Sequence, residues 1–212
     1  MQEEQQAAIP PKQEVKREIV EFVKMIAWFL VMFFIVKTYV LEGYEVQGPS
    51  MDPTLSDHER IFVLKLPHIL SQFNTFSGIN ALEEGDVVVF YSPVEPNKRY
   101  VKRLIAKGPD AQPGTVNAGD RNSAAEVTRV RFNEGAVFVN NRRIEEPYLE
   151  PDERESPDAT GEIRLTPRQY YVLGDNRSVS RDSRSFGPID DKHVVGKALL
   201  CFWPPSKIRL IK

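Results

Sequence analysis

Between Lys24 and Lys37 lies an unbroken apolar run, Met25-Ile26-Ala27-Trp28-Phe29-Leu30-Val31-Met32-Phe33-Phe34-Ile35-Val36. A run of twelve fits a core helix or the apolar heart of a cleaved leader, whereas a spanning helix needs about 20 apolar residues. Two observations favour spanning. The wider stretch from Ile19 to Leu41 would be roughly 34 Å long as a helix. Its charges, Glu21, Lys24 and Lys37, sit toward the ends, where lysine stems reach back to water. A cleaved leader is the rival, but Lys37-Thr38-Tyr39-Val40-Leu41-Glu42-Gly43 contains no small-x-small site. Residues 19–41 are therefore expected to form one uncleaved transmembrane helix, and the polar residues 1–18, with Pro10-Pro11, a tail. Lys12, Lys16, Arg17 and Lys24 precede the run, and after Lys37 no Lys or Arg follows until Arg60. That asymmetry places the N-terminus in the cytoplasm and residues 42–212 outside.

Beyond Leu41 the texture is that of a mostly β domain. Short runs rich in Val, Ile, Phe and Tyr recur at 44–47, 60–65, 86–91, 100–106, 136–139, 169–173 and 195–203. Each is bounded by turn residues such as Glu84-Gly85-Asp86 or Asn140-Asn141. Residues 111–165, richer in Pro, Glu and Arg, are expected as an insertion carrying a hairpin at Asn140-Asn141. Residues 66–82 are expected as an irregular stretch, with Phe73, Phe76, Ile79 and Leu82 either dipping into a lipid interface or packing under the insertion.

The formal net charge is −2, without the basic excess of a general nucleic-acid binder. Cys201 is the one cysteine, which excludes an internal disulfide or a Cys-rich metal site. His58, His68 and His193 form no HExxH or His-x-His pair, which argues against a zinc centre. No glycine-rich nucleotide-binding motif is present, and no cofactor is expected.

Three stretches carry candidate chemistry. In Gly48-Pro49-Ser50-Met51-Asp52-Pro53-Thr54-Leu55 the two prolines fix φ and Gly48 permits an unusual one, so Ser50 sits in a stiff loop. Alone, this is turn chemistry; a nucleophile also needs a base. Lys102, within Tyr100-Val101-Lys102-Arg103-Leu104-Ile105, shares a strand face with Tyr100 and Leu104. Apolar burial would lower its pKa toward the working range of a base; the plainer reading is an edge-strand lysine. The third stretch is Gly174-Asp175-Asn176-Arg177-Ser178-Val179-Ser180-Arg181-Asp182-Ser183-Arg184. Asp182 could pair with Arg184, and Asp175 with Arg103 or Arg177. A solvated loop would explain its polarity but not its place between two apolar strands.

Together these stretches resemble the type I signal peptidases, membrane-bound Ser-Lys serine proteases. Gly48–Leu55 is similar to that family's nucleophile motif, Gly85–Phe90 to a strand start, Tyr100–Arg103 to its general-base motif and Gly174–Ile189 to its last motif. Val137–Asn141 and Glu146–Leu149 are similar to its hairpin region. The resemblance runs in order over most of residues 20–205.

The resemblance implies a signal-peptidase-like β domain behind a single N-terminal transmembrane helix in the plasma membrane. It implies removal of signal peptides from exported preproteins after Ala-x-Ala. Ser50 would attack the scissile carbonyl, and its backbone N–H would serve the oxyanion hole. Lys102 would be the base, and Ser180 would orient it. Met51 would flank the pocket for a small substrate residue. Arg103, Asp175, Asp182 and Arg184 would form structural ion pairs. The implied partners are signal peptides and the lipid bilayer, without nucleic acid or metal. Two departures stand out. Gly48 occupies a position where some members carry an oxyanion-binding serine. The turn Ala106-Lys107-Gly108-Pro109-Asp110 permutes the usual Gly-x-Pro-Gly-Asp. A soluble self-cleaving Ser-Lys regulator and a catalytically silent binding module are the competing readings. The apolar run argues against the first, and intact Ser50, Lys102 and Ser180 against the second.

Overall fold

The computed structural model describes residues 11–65, 82–109, 127–133, 135–149 and 161–211. They fall into two units, Met1–Val40 and Leu41–Lys212. In the first, helix α1 spans Pro11–Ile35 and runs into a π-helical turn, Val36–Val40. The helix starts upstream of Ile19, so residues 11–18 are helical rather than a disordered tail. Proline is tolerated at a first helical position, and the Lys, Glu and Arg that follow are good helix formers. Val15–Val40 is long and apolar enough to cross a membrane. Its large side chains stand exposed, Trp28 at 69% and Phe29 at 66%.

The second unit is built almost wholly of strands. Its main sheet contains β1 (Leu41–Glu45), β2 (Arg60–Leu64), β3 (Val87–Tyr91) and β4 (Arg99–Lys107). A smaller sheet contains β5 (Thr128–Asn133), β6 (Ala136–Val139), β7 (Arg142–Arg143) and β8 (Glu162–Leu165). The chain then returns to the main sheet with β9 (Gln169–Leu173), a short helix α2 (Ser183–Phe186), β10 (Ile189–Asp190), β11 (Val194–Trp203) and β12 (Arg209–Leu210). The main sheet runs in the order β1-β2-β11-β3-β4-β9-β10, with β12 on β11; the smaller runs β7-β6-β5-β8. All pairings are antiparallel.

Six strands, β2, β3, β4, β6, β9 and β11, follow the expected apolar runs to within one residue at each end; β1 shares only Tyr44 and Glu45 with the expected 44–47. The hairpin at Asn140-Asn141 is also present, both residues having positive φ (50° and 70°), as a tight hairpin turn requires. Within 111–165, the described residues form the four-stranded sheet. Phe73, Phe76 and Ile79 lie outside the described residues. Leu82 does not face a lipid interface: it is 4% exposed and packs with Val88, Phe90 and Leu104.

The strand alternation decides how the site is made. Residues of β4 divide among three clusters: Ile105 and Ala106 pack with Tyr171 and Leu173. Val101 packs against Met51, Leu55, Ile61, Val87 and Val89. Tyr100 and Leu104 pack with Val88, Phe90 and Val172. Lys102 pairs across the ladder with Val88. Its stem therefore belongs to a face of aromatic and aliphatic side chains, as period-two geometry demands.

Candidate active site

Ser50 sits at the head of a loop pinned at several points. Gly48 adopts φ +83°, and its N–H donates to Asp57 Oδ1 at 2.7 Å. Asp52 N–H donates to the Pro49 carbonyl at 3.2 Å and Leu55 N–H to the Met51 carbonyl at 2.8 Å. Met51 and Leu55, with no exposed surface, anchor the loop in the core. The turn residues legible in the sequence thus form a loop braced from beneath by two apolar side chains. Met51 lies in the core cluster and is not among the residues that border the groove described below.

Lys102 is 4% exposed. Its Nζ lies 2.7 Å from Ser50 Oγ and donates to the Val101 carbonyl at 2.9 Å. The Tyr100 ring lies beneath it, 5.6 Å from Nζ. Burial pulls its pKa from 10.5 down to about 8, because the charged form loses its water; Asp182 and Asp175 pull it back up, and Arg184 pushes it down. Desolvation wins over the two carboxylates.

The 174–184 loop closes over this pair. A Cβ on Gly174 would lie 2.5 Å from the Ser50 carbonyl oxygen and 2.5 Å from Ser180 Cβ, so only glycine permits this approach. Asn176 N–H donates to the same Ser50 carbonyl at 3.2 Å, and Ser180 N–H to the Asn176 carbonyl at 3.1 Å. Ser180 is therefore brought to the site, but its buried Oγ has no hydrogen-bond partner among the described residues. The hydrogen bond from Ser180 to Lys102 that the resemblance implies is not formed.

The ions expected to be structural pair within the fold. Arg103 grips Asp175 through two nitrogens, Nε to Oδ1 at 2.9 Å and Nη2 to Oδ2 at 2.6 Å, and both residues are buried. Arg103 also donates to the Gly85 carbonyl at 2.7 Å and to Thr54 Oγ1 at 3.0 Å, and lies 3.8 Å over the Tyr148 ring. One guanidinium thus ties the nucleophile loop, the start of β3 and the closing loop together. Asp182 accepts from Arg184 Nε and Nη2, each at 2.8 Å, and from Gly174 N–H at 3.0 Å.

Other partners were not legible from local sequence. Arg177 binds Glu146 rather than Asp175. Glu95 accepts from Tyr100 Oη at 2.5 Å and from Arg181 at 3.4 Å. The Arg177–Glu146 and Arg181–Glu95 pairs join segments 31 and 86 residues apart, and no local pattern signals such partners.

Beside Ser50 and Lys102 runs a groove of about 570 Å³, bordered by Tyr44–Gln47, Val89 and Tyr100–Lys102. Its β1 side is the edge of the main sheet. The site is thus a buried amine of lowered pKa against a hydroxyl, opening on a sheet-lined groove, which is the equipment for nucleophilic attack on a carbonyl.

The family model "Signal peptidase, peptidase S26" matches residues 19–112 and 124–203. The chain belongs to the S26 signal peptidase family. It is 34% identical over 210 residues to signal peptidase IB of Staphylococcus aureus (strain COL), covering 92% of this chain and 95% of that one. It is 32% identical over 202 residues to signal peptidase I of Bacillus licheniformis, covering 92% and 94%. A crystal structure of a signal peptidase I from Enterococcus faecalis matches with 27% identity and a TM-score of 0.39, covering 55% of this chain and 95% of that chain. Membership makes the chain a serine endopeptidase, a hydrolase that acts on signal peptides. The silent-module reading loses its support here.

Proposed function

We propose that the chain is a membrane-anchored signal peptidase that cuts preproteins by a Ser50–Lys102 dyad. The observation that carries the mechanism is the 2.7 Å separation of Lys102 Nζ from Ser50 Oγ in a buried setting that lowers the lysine pKa to about 8. Near that pH a substantial fraction of the amine is neutral and can act as a base. Ser50 Oγ attacks the scissile carbonyl as its proton passes to Lys102 Nζ. The resulting ammonium returns the proton to the leaving amine when the C–N bond breaks, leaving an acyl-enzyme on Ser50. A water then attacks the ester, Lys102 takes its proton, and Ser50 Oγ recovers one as it departs.

The oxyanion is served by the Ser50 backbone N–H. Gly48 brings no hydroxyl to that task. Ser180 acts on the lysine: a rotation of its Oγ, which has no partner among the described residues, brings it to Nζ once substrate fills the groove.

The groove supports an extended substrate. A peptide lying along the β1 edge gains main-chain hydrogen bonds, and alternate side chains enter the wall. Small residues at the first and third positions before the cut suit a groove floored by packed strands, since larger ones overpack it. Anchoring rests on the exposed apolar helix Val15–Val40. The orientation, N-terminus in the cytoplasm, rests on the lysines and arginines that precede it.

The experiment is cleavage of a preprotein by the detergent-solubilised full chain beside Ser50→Ala. The wild type should release the mature protein, and Ser50→Ala should release none. A preprotein with Leu in place of the Ala before the cut should be processed at least tenfold more slowly. Equal rates on the two preproteins would contradict the assigned specificity.

A further inference from the structure

The last described strand reaches back to the nucleophile loop. Arg209, on β12, donates through Nη2 to the Thr54 carbonyl at 2.5 Å and to Glu59 Oε2 at 2.6 Å. Its Nη1 donates to Glu59 Oε1 at 3.2 Å and to the Lys207 carbonyl at 3.0 Å. Glu59 is 2% exposed, so this is not a screened surface pair of negligible effect. The second cation on Glu59 is Lys207, at 3.3 Å. The strand is seated by ladder pairing of Cys201 with Arg209. Ile211 holds it further, donating its N–H to the Leu199 carbonyl at 2.9 Å and entering the cluster that contains Met51 and Leu55.

Thr54 is therefore gripped from two sides. Arg103 on β4 holds its hydroxyl, and Arg209 on β12 holds its carbonyl. The bonds from Leu55 to Met51 and from Asp52 to Pro49 join that grip to Ser50. We propose that Arg209 is a positioning residue for the nucleophile, fixing Ser50 against Lys102 by fastening the loop at the Thr54 carbonyl. Glu59 pairs with the guanidinium and touches no reacting atom. The inference rests on Ser50 being the nucleophile. Its consequence is kinetic, because small misplacements of a reacting group are costly, up to about a hundredfold for 1 Å.

The test compares Arg209→Gln, Arg209→Lys, Glu59→Gln and Ser50→Ala in the detergent-solubilised full chain. Preprotein cleavage is measured well below each variant's Tm. Arg209→Gln should lower kcat about tenfold or more with KM within about twofold. Arg209→Lys, which keeps one donor for the carbonyl, should fall between it and wild type. Glu59→Gln should lower Tm but keep kcat within about twofold, because Arg209 still reaches Thr54. Folded Arg209→Gln with wild-type kcat would overturn the assignment, as would Glu59→Gln losing kcat equally. Should Arg209→Gln fail to fold, wild-type kcat in Arg209→Lys overturns it instead. Cleavage by Ser50→Ala would overturn the dyad itself; a dead Ser50→Ala beside a fully active Arg209→Gln overturns only the positioning role.

Discussion

The carbonyl oxygen of Ser50 leaves no room for a side chain at Gly174: a Cβ there would lie 2.5 Å from it. The loop that carries Ser180 and Asp182 is thus pressed directly onto the backbone of the nucleophile. Gly174→Ala should push the two apart. Overpacking of this kind costs about 1–3 kcal/mol in stability, and the displaced Ser50 should lose at least tenfold in kcat. Thermal unfolding and preprotein cleavage by the full chain measure both effects, and a variant with wild-type kcat would contradict the close packing.

Much of this arrangement was legible in the sequence. Six of the seven apolar runs became strands with nearly the expected bounds because flanking Gly, Pro, Asn and Asp mark them, whereas β1 ends before Val46 and Gln47. Lys102 shared a face with Tyr100 and Leu104 because strand alternation fixes it. Arg103 and Asp175, and Asp182 and Arg184, paired as their charge allowed. Period and turn chemistry act locally, so they can be read locally. The grip of Arg209 on Thr54 spans 155 residues and depends on a ladder pairing that no short window encodes. The short strands β7, β10 and β12 are held by neighbours rather than by their own composition. Met51 follows Ser50 in the chain, and the turn directs its side chain into the core.

Ser180 gives a sharper contrast between stability and activity. Its buried Oγ has no partner among the described residues, so Ser180→Ala should leave Tm unchanged or slightly raised. It should nonetheless lower kcat by about ten- to a hundredfold, within the range associated with a proton-transfer group. Loss of Tm in step with kcat would mean that the hydroxyl serves the fold instead.

Lys102 should make the protein less stable than it could be. Its pKa is about 8 in the fold against an ordinary 10.5, so the unfolded chain binds the extra proton between those values. Stability should rise with pH across that window, and the penalty should be complete below about pH 8. A displacement of that size corresponds to on the order of 3 kcal/mol. Lys102→Met should therefore raise Tm at pH 7 and lose that advantage above pH 10.5. Urea unfolding at several pH values checks this, and a Lys102→Met protein destabilised at pH 7 would contradict it.

The dyad is tested most directly by the pH–rate profile of preprotein cleavage, for wild type beside Lys102→Met and Lys102→Arg, with circular dichroism to establish folding. Wild-type kcat/KM should rise with pH through a value near 8, as the lysine loses its proton. Both variants should be folded and inactive at every pH, the methionine for want of a base and the arginine because guanidinium stays protonated. A folded Lys102→Met that still cuts at near the wild-type rate would contradict the Ser50–Lys102 assignment.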